Sequence, residues 1–180
     1  MRGIGMGVLG RTVQLGAVAA TLWFSLPSVA SEVEDRFLIM ELMDRYGVVH
    51  DFGTPEEYAD LFTPDGSIGT RIKGREALIA QARRDHERYS AEPGPDGKVS
   101  SIMRHIITNR MVKLTGPDTA EGSCYVITLI NDKEQGPLVM SMARYEDRYV
   151  RTAQGWRIAH RDIVLESGNR EIGKRFGFVR

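Results

Sequence analysis

The chain of 180 residues has one cysteine, Cys124. A single thiol excludes an internal disulfide framework and any zinc site built on several thiolates. Histidine is also scarce, with only His50, His86, His105 and His160. No two of them stand at a metal-ligand spacing and there is no Cys-x-x-Cys, so a metal would need scattered ligands. The expectation is activity with no metal and no organic cofactor. Excess charge of either sign is absent as well: 24 basic and 24 acidic residues leave a formal net charge of zero. That argues against general nucleic-acid binding, which needs a basic surface to displace counterions. No internal repeat and no low-complexity tract occurs. With 27% charged and 42% hydrophobic residues, the composition is that of a globular protein.

The N-terminal segment differs from the rest. Arg2 and Arg11 lie in a stretch with no acidic residue, followed by a mostly apolar run from Thr12 to Leu26. That run is shorter than the ~20 residues a membrane span requires. Pro27-Ser28-Val29-Ala30 follows, with small side chains at the two positions a signal peptidase reads. The expectation is a signal peptide over residues 1–30, removed after Ala30, with no stable membrane insertion afterwards and a periplasmic or secreted location. No Arg-Arg pair is present, which favours the general secretory route. The remaining chain divides into an α+β domain over 31–167 and a tail over 168–180 with no readable structure.

Three helices precede four strands. Ser31-Glu32-Val33-Glu34 has the form of a capping box. Val33, Phe37, Met40, Met43, Tyr46 and Gly47 then recur at helical spacing, which predicts a helix to about Val49. Thr54-Pro55-Glu56-Glu57 repeats the cap, with Tyr58, Leu61 and Phe62 on the buried side. Thr63-Pro64-Asp65-Gly66 reads as a turn and 68–73 as a short strand. Arg75 to Tyr89 reads as the third helix, and the Pro- and Gly-rich stretch after Ser90 as a loop. Strands are expected over 104–114, 119–130, 138–150 and 156–165, joined by short turns into an antiparallel meander. Helices segregated before strands indicate α+β, with a curved sheet wrapped on the helices.

Few residues can carry chemistry. Strand alternation puts His105, Ile107, Asn109 and Met111 on one face. Asp51, just after the first helix, is placed to reach under the sheet. A carboxylate holding an imidazole makes a general base suited to neutral pH. Arg161, on the last strand beyond Trp156, suits a developing or departing anion. The competing reading makes His105 a satisfied core histidine and Asp51 part of the cap region before Thr54. Tyr46 is either a hydrogen-bond donor to substrate or a core aromatic. Tyr125 and Tyr145 either line a pocket or pack. His50 reads as a surface or supporting position, His86 as part of a solvated helix face with Arg83, Arg84, Asp85 and Glu87, and Cys124 as a small buried residue.

The ordered set Asp35-Arg36, Arg45-Tyr46, Asp51, Leu61-Phe62-Thr63-Pro64-Asp65-Gly66, Gly74-Arg75-Glu76-Ala77-Leu78-Ile79, Arg104-His105-Ile106-Ile107-Thr108-Asn109, Arg144-Tyr145-Glu146-Asp147-Arg148-Tyr149-Val150-Arg151 and Gly155-Trp156-Arg157-Ile158-Ala159-His160-Arg161 resembles the SnoaL-like branch of the nuclear transport factor two-like superfamily. The resemblance implies a cone-shaped, mostly antiparallel curved sheet closed by three N-terminal helices over a deep pocket. Within that superfamily the chain looks most like scytalone dehydratase and hexachlorocyclohexane dehydrochlorinase, cofactor-free lyases that use an Asp–His pair. Asp51 and His105 match that pair, and Arg161 matches a pocket Arg. Tyr46 stands where the dehydrochlorinase has Lys, and Ile68 where it has Trp. Cys124 or Tyr125 stands where the dehydratase has a second His, and Tyr145 stands at its substrate-binding Asn. The resemblance therefore implies catalytic roles for His105, Asp51, Arg161 and Tyr46, and substrate contacts from Tyr145, Tyr125 and Ile68; strand alternation adds Asn109 to the expected substrate contacts. A lyase or isomerase acting on a small molecule, as a homo-oligomer (dimer or trimer), is one expectation. A non-catalytic binding or scaffold protein of the same fold is the other.

Overall fold

The computed structural model describes residues 29–90 and 101–176. The expected leader, all but its last two residues, lies outside them, as does the loop after Ser90. Helix α1 (Val29–Phe52) begins two residues before Ser31, which therefore sits inside its first turn and is not its cap. Neither Val29 nor Ala30 carries the barrier to helical backbone that glycine or proline would. The helix also runs past Val49, so Asp51 lies in its last turn. Val33 and Phe37 are exposed, contrary to the expected apolar stripe. The buried line is Asp35, Ile39, Leu42, Met43, Tyr46, His50 and Asp51. Its rotation is fixed by Asp35, which accepts hydrogen bonds from Trp156 Nε1 (3.1 Å) and Arg151 Nη2 (2.5 Å).

Thr54 caps α2 (Pro55–Ala59) in a complete capping box with Glu57, as its sequence predicts. Thr63-Pro64-Asp65-Gly66 is not a turn. It lies within β1 (Phe62–Ile68), whose pairing register breaks between Phe62 and Ser67. The short strand expected over 68–73 is the corner of a hairpin: β1 ends, Gly69 takes φ 53°, and β2 (Ile72–Lys73) returns antiparallel. Helix α3 spans Arg75–Tyr89. Strands β3 (Met103–Gly116), β4 (Thr119–Asp132), β5 (Gly136–Thr152) and β6 (Gly155–Gly168) form the expected meander. The sheet order is β2-β1-β6-β5-β4-β3, antiparallel except where β1 runs parallel to β6. The tail forms α4 (Arg170–Arg175), capped by the Asn169 side chain. No described helix is long and apolar enough to cross a membrane.

The helices fill the concave face of the sheet. Leu42, Met43, Tyr46, Leu61 and Leu78 pack there against Cys124, Val126, Tyr145, Tyr149 and Ile158. One close approach positions the site. A Cβ on Gly47 would lie 3.3 Å from the carbonyl oxygen of His105, so only glycine lets α1 sit this near β3 without a shift. Asp51, one turn further along α1, is thereby brought level with His105.

Two bulges decide which strand residues face inward. On β3, Thr108 pairs with Tyr125 and Met111 with Ser123, so Asn109 and Arg110 together oppose Cys124. Asn109 adopts φ 52°, a left-handed conformation that Asn tolerates better than most residues. Alternation reverses there: His105 and Ile107 face the helices, Asn109 and Met111 face solvent, and Val112 and Leu114 return to the core. On β6, Arg148 pairs with His160 and Tyr149 with Ile158, leaving Ala159 as the extra residue. Arg161 consequently joins Trp156 and Ile158 on the buried side.

Candidate active site

His105, backed by Asp51, stands at the wall of a partly open cavity between the helices and the sheet. His105 donates its backbone N–H to Asp51 Oδ2 (2.8 Å), and its Nδ1 lies 2.7 Å from Oδ1. A carboxylate at that distance assigns the Nδ1 proton to the imidazole, leaving Nε2 as a lone pair. The Asp51 and His105 side chains are 4% and 7% exposed. This is the arrangement of a base with an orienting carboxylate.

The cavity has a volume of about 270 Å³. Ile68, Tyr145, Tyr46 and His105 line it, together with Tyr58, Val126, Thr128, Ser141 and, toward its rim, Ile163 and Leu165. The Tyr46 and Tyr58 hydroxyls are 3.1 Å apart. Burial raises the pKa of both phenols, although Arg161 opposes the shift, so they stay neutral and can donate. One hydroxyl donates to the other and leaves a proton free for a ligand oxygen. Tyr145 is raised for the same reason. Burial pushes the Cys124 thiol up to about 11, which makes it a packed side chain and not a nucleophile.

Arg161 does not face this space. It is fully buried, with its Nε and Nη2 bonded to the two oxygens of Asp147 (2.8 and 2.6 Å). Tyr149 donates to the same carboxylate. Its guanidinium lies 3.9 Å from the Tyr46 ring and 4.1 Å from the Tyr145 ring, beneath both. The expectation of direct contact with a departing anion is corrected: the bulge at Ala159 carries Arg161 into the core, where it acts on the cavity only through the tyrosines. Asn109 and Tyr125 are also corrected. Both are solvent-exposed and absent from the cavity wall, Asn109 because of the β3 bulge and Tyr125 because it alternates with the inward Cys124 and Val126.

Two cavity residues were read otherwise from the sequence. His50 is buried, its ring centroid 4.4 Å from that of His105, and its Nε2 lies 3.4 Å from Asp85 Oδ2. Burial lowers the pKa of His50, and the neighbouring His105 adds to that shift. Asp85 also accepts from Gln81 Nε2 (2.7 Å) and faces the cavity. Periodicity carried the signal in both cases. His50 continues the Ile39–Met43–Tyr46 line, and Asp85 falls on the Leu78–Ala82–Tyr89 line of α3. His86 turns from the solvated face to hydrogen-bond the His50 carbonyl oxygen (2.9 Å).

Among the described residues, His50, Asp51 and His105 are the one group that brings three metal-binding atoms within 4.8 Å of one another. Each Asp51 oxygen already accepts a hydrogen bond from His105, so a cation held there would compete with the pair. A more open groove of about 480 Å³ on the outer sheet face is lined by side chains of mixed charge, among them Lys113, Glu121, Arg148 and Asp162. It does not reach the Asp51–His105 pair.

The model of the SnoaL-like domain matches residues 31–162. No curated protein matches the sequence. Solved structures with the same fold include a protein of unknown function from Mycobacterium tuberculosis, 25% identical, covering 72% of this chain and 75% of its own with a TM-score of 0.60. A protein from Catenulispora acidiphila is 28% identical over 80% of this chain and 99% of its own, with a TM-score of 0.61. A third, from Novosphingobium aromaticivorans and provisionally named a scytalone dehydratase, is 17% identical over 79% of this chain and 91% of its own, with a TM-score of 0.64; at that identity it shows the fold alone.

Proposed function

The chain belongs to the SnoaL-like domain family, and on that premise we propose that it is a cofactor-independent lyase acting on a small aromatic or cyclic molecule. His105 Nε2 removes a carbon-bound proton made acidic by a neighbouring carbonyl or ring. Asp51 holds the imidazole in the required tautomer and stabilises the imidazolium that forms. The Tyr46–Tyr58 hydroxyls donate to the oxygen on which charge develops. Arg161 lies under Tyr46 and polarises it from behind. The leaving group is small: water, halide or formaldehyde. An isomerase, which returns the proton to another carbon, uses the same parts.

The observation that carries this reading is the double attachment of His105 to Asp51 at the cavity wall. A merely packed histidine does not require a buried carboxylate on its ring nitrogen. The test is a screen of bicyclic β-hydroxy ketones for loss of water, with His105→Ala as control. Turnover that vanishes in the variant supports the lyase. Turnover equal in both proteins, or binding with no chemistry in either, leaves a ligand-binding module.

Export and self-association belong to the same proposal. The basic, apolar and small-residue pattern of residues 1–30 supports a periplasmic or secreted location. Exposed Ile106, Tyr125, Met142 and Val164 lie on strands β3 to β6 of the sheet and support a homo-oligomer.

A further inference from the structure

His50 and Asp85 form a second imidazole–carboxylate pair set against the first. Asp85 takes a hydrogen bond from Gln81, one turn back on α3, and its remaining close partner is His50 Nε2. A carboxylate at 3.4 Å favours the His50 proton on Nε2, on the side facing Asp85. His50 Nδ1 is buried and has no hydrogen-bond partner among the described residues. The His50 and His105 ring centroids lie 4.4 Å apart, and one ligating atom each from His50, Asp51 and His105 lies within 4.8 Å of the other two, a span that one bridging water closes. The two carboxylates differ in access: the Asp51 side chain is 4% exposed and the Asp85 side chain 16%. Asp85 is thus the more exposed end of the chain of groups.

We infer that His50 and Asp85 are a proton relay, which carries to solvent the proton that His105 takes from the substrate. The inference rests on His105 being the base. When the C–H bond breaks, its electron pair stays with the substrate and its proton goes to His105 Nε2. If the leaving group is halide, or the carbon is later reprotonated from water, no product atom removes that proton. A ligand seated against His105 keeps bulk water from it, while Asp85 stands further along the cavity wall. His105 then passes a proton to His50 Nδ1, His50 releases its Nε2 proton to Asp85, and Asp85 loses it to water. His50 is left with its proton on Nδ1; once the product has left, water takes that proton and Asp85 returns one from solvent to Nε2, which restores the starting tautomer with no net change in protons. The sum is one proton moved from carbon to solvent, with no other reactant. Burial disfavours a charged His50, so it passes a proton on and does not store one. Burial works against the charge of Asp85, but the hydrogen bonds from His50 and Gln81 outweigh it and lower its pKa, so Asp85 releases its proton readily.

Isotope washout tests this directly, because exchange at carbon requires that the proton on His105 be replaced from solvent before it returns. The probe is β-tetralone, a bicyclic ketone with acidic C–H bonds, in deuterium oxide at low buffer concentration, followed by proton NMR. Wild type is expected to exchange, and His105→Ala to fall to the uncatalysed rate. His50→Leu and Asp85→Asn are each expected to slow exchange by about tenfold or more. In His50→Gly, which leaves a ring-sized space beside His105, added imidazole should restore the rate, since it replaces the lost relay group but does not repair a distorted site. Asp85→Asn preserves shape, so it stays informative if His50→Leu folds poorly. Wild-type exchange rates in His50→Leu and Asp85→Asn, or slowed exchange in His50→Gly that imidazole does not restore, would overturn the relay and leave the base intact. Absence of exchange in wild type, or its persistence in His105→Ala, would instead remove the base and the relay with it.

Discussion

Asp51 accepts two hydrogen bonds from the same residue, one from the backbone N–H of His105 and one from its ring. The first ties the end of α1 to the start of β3, and the second sets the imidazole tautomer. Fold and site geometry thus share one carboxylate, and changes elsewhere in α1 are felt at His105.

Gly47 is the nearest such position. A methyl group there meets the His105 carbonyl oxygen and Ile107 Cγ1, both at 3.3 Å. Gly47→Ala should push α1 away from β3, destabilise the protein by about 1–3 kcal/mol, as overpacking does, and lengthen the Asp51–His105 contact. Urea unfolding measures the first effect. The second appears as a low-field imidazole proton signal that shifts or is lost.

Arg161 is predicted to act on stability before chemistry. Arg161→Met leaves Asp147 buried without its partner, and breaking such a pair costs about 3–5 kcal/mol. Arg161→Lys should also be harmful, because a point charge cannot bond both Asp147 oxygens in the planar, forked geometry seen here. Thermal melts of the two variants check this. An unchanged melting temperature with turnover lost would return Arg161 to the cavity as a direct substrate ligand.

Stability should fall as pH drops below about 6.5, the ordinary value for His50. Burial, with His105 beside it, lowers the folded-state pKa, so in that window the unfolded chain binds a proton that the folded chain does not. The contribution is fully present above the unfolded pKa and is lost as pH falls toward the folded one. Asp85, Asp51 and His105 face the same ring, so the comparison is wild type against His50→Leu. The substitution should flatten the acid side of the denaturation profile.

Exhaustive chelation should leave turnover intact, because the proposed base needs Asp51 hydrogen-bonded to His105 and a cation there would compete with that pair. The assay is turnover before and after dialysis against a chelator. Loss that one specific metal reverses would contradict the mechanism.

Local signals were legible in the sequence where local chemistry decides structure. Thr54 and Glu57 cap α2 as their spacing predicts, and the Gly-containing turns placed β3 to β6 to within a few residues. The Asp51–His105 pairing was also readable, from strand and helix placement joined to the family resemblance. What was hidden depends on one-residue irregularities. The bulges at Asn109 and Ala159 reverse alternation, so Asn109 faces solvent and Arg161 the core. His50 and Asp85 were hidden for another reason. Polar residues beside charged neighbours look solvated until α1 and α3 bring the two together across 35 positions of sequence.

The most direct test is a double-mutant cycle on Asp51 and His105, read as turnover on a β-hydroxy ketone or as deuterium exchange into β-tetralone. His105→Ala and Asp51→Asn should each lower the rate by ~10²–10⁴, the usual contribution of a positioned base. The double variant should lose little more than His105→Ala alone, because groups that work as one unit are not additive. Multiplying effects, or a near-wild-type rate in His105→Ala with the fold intact, would contradict the account.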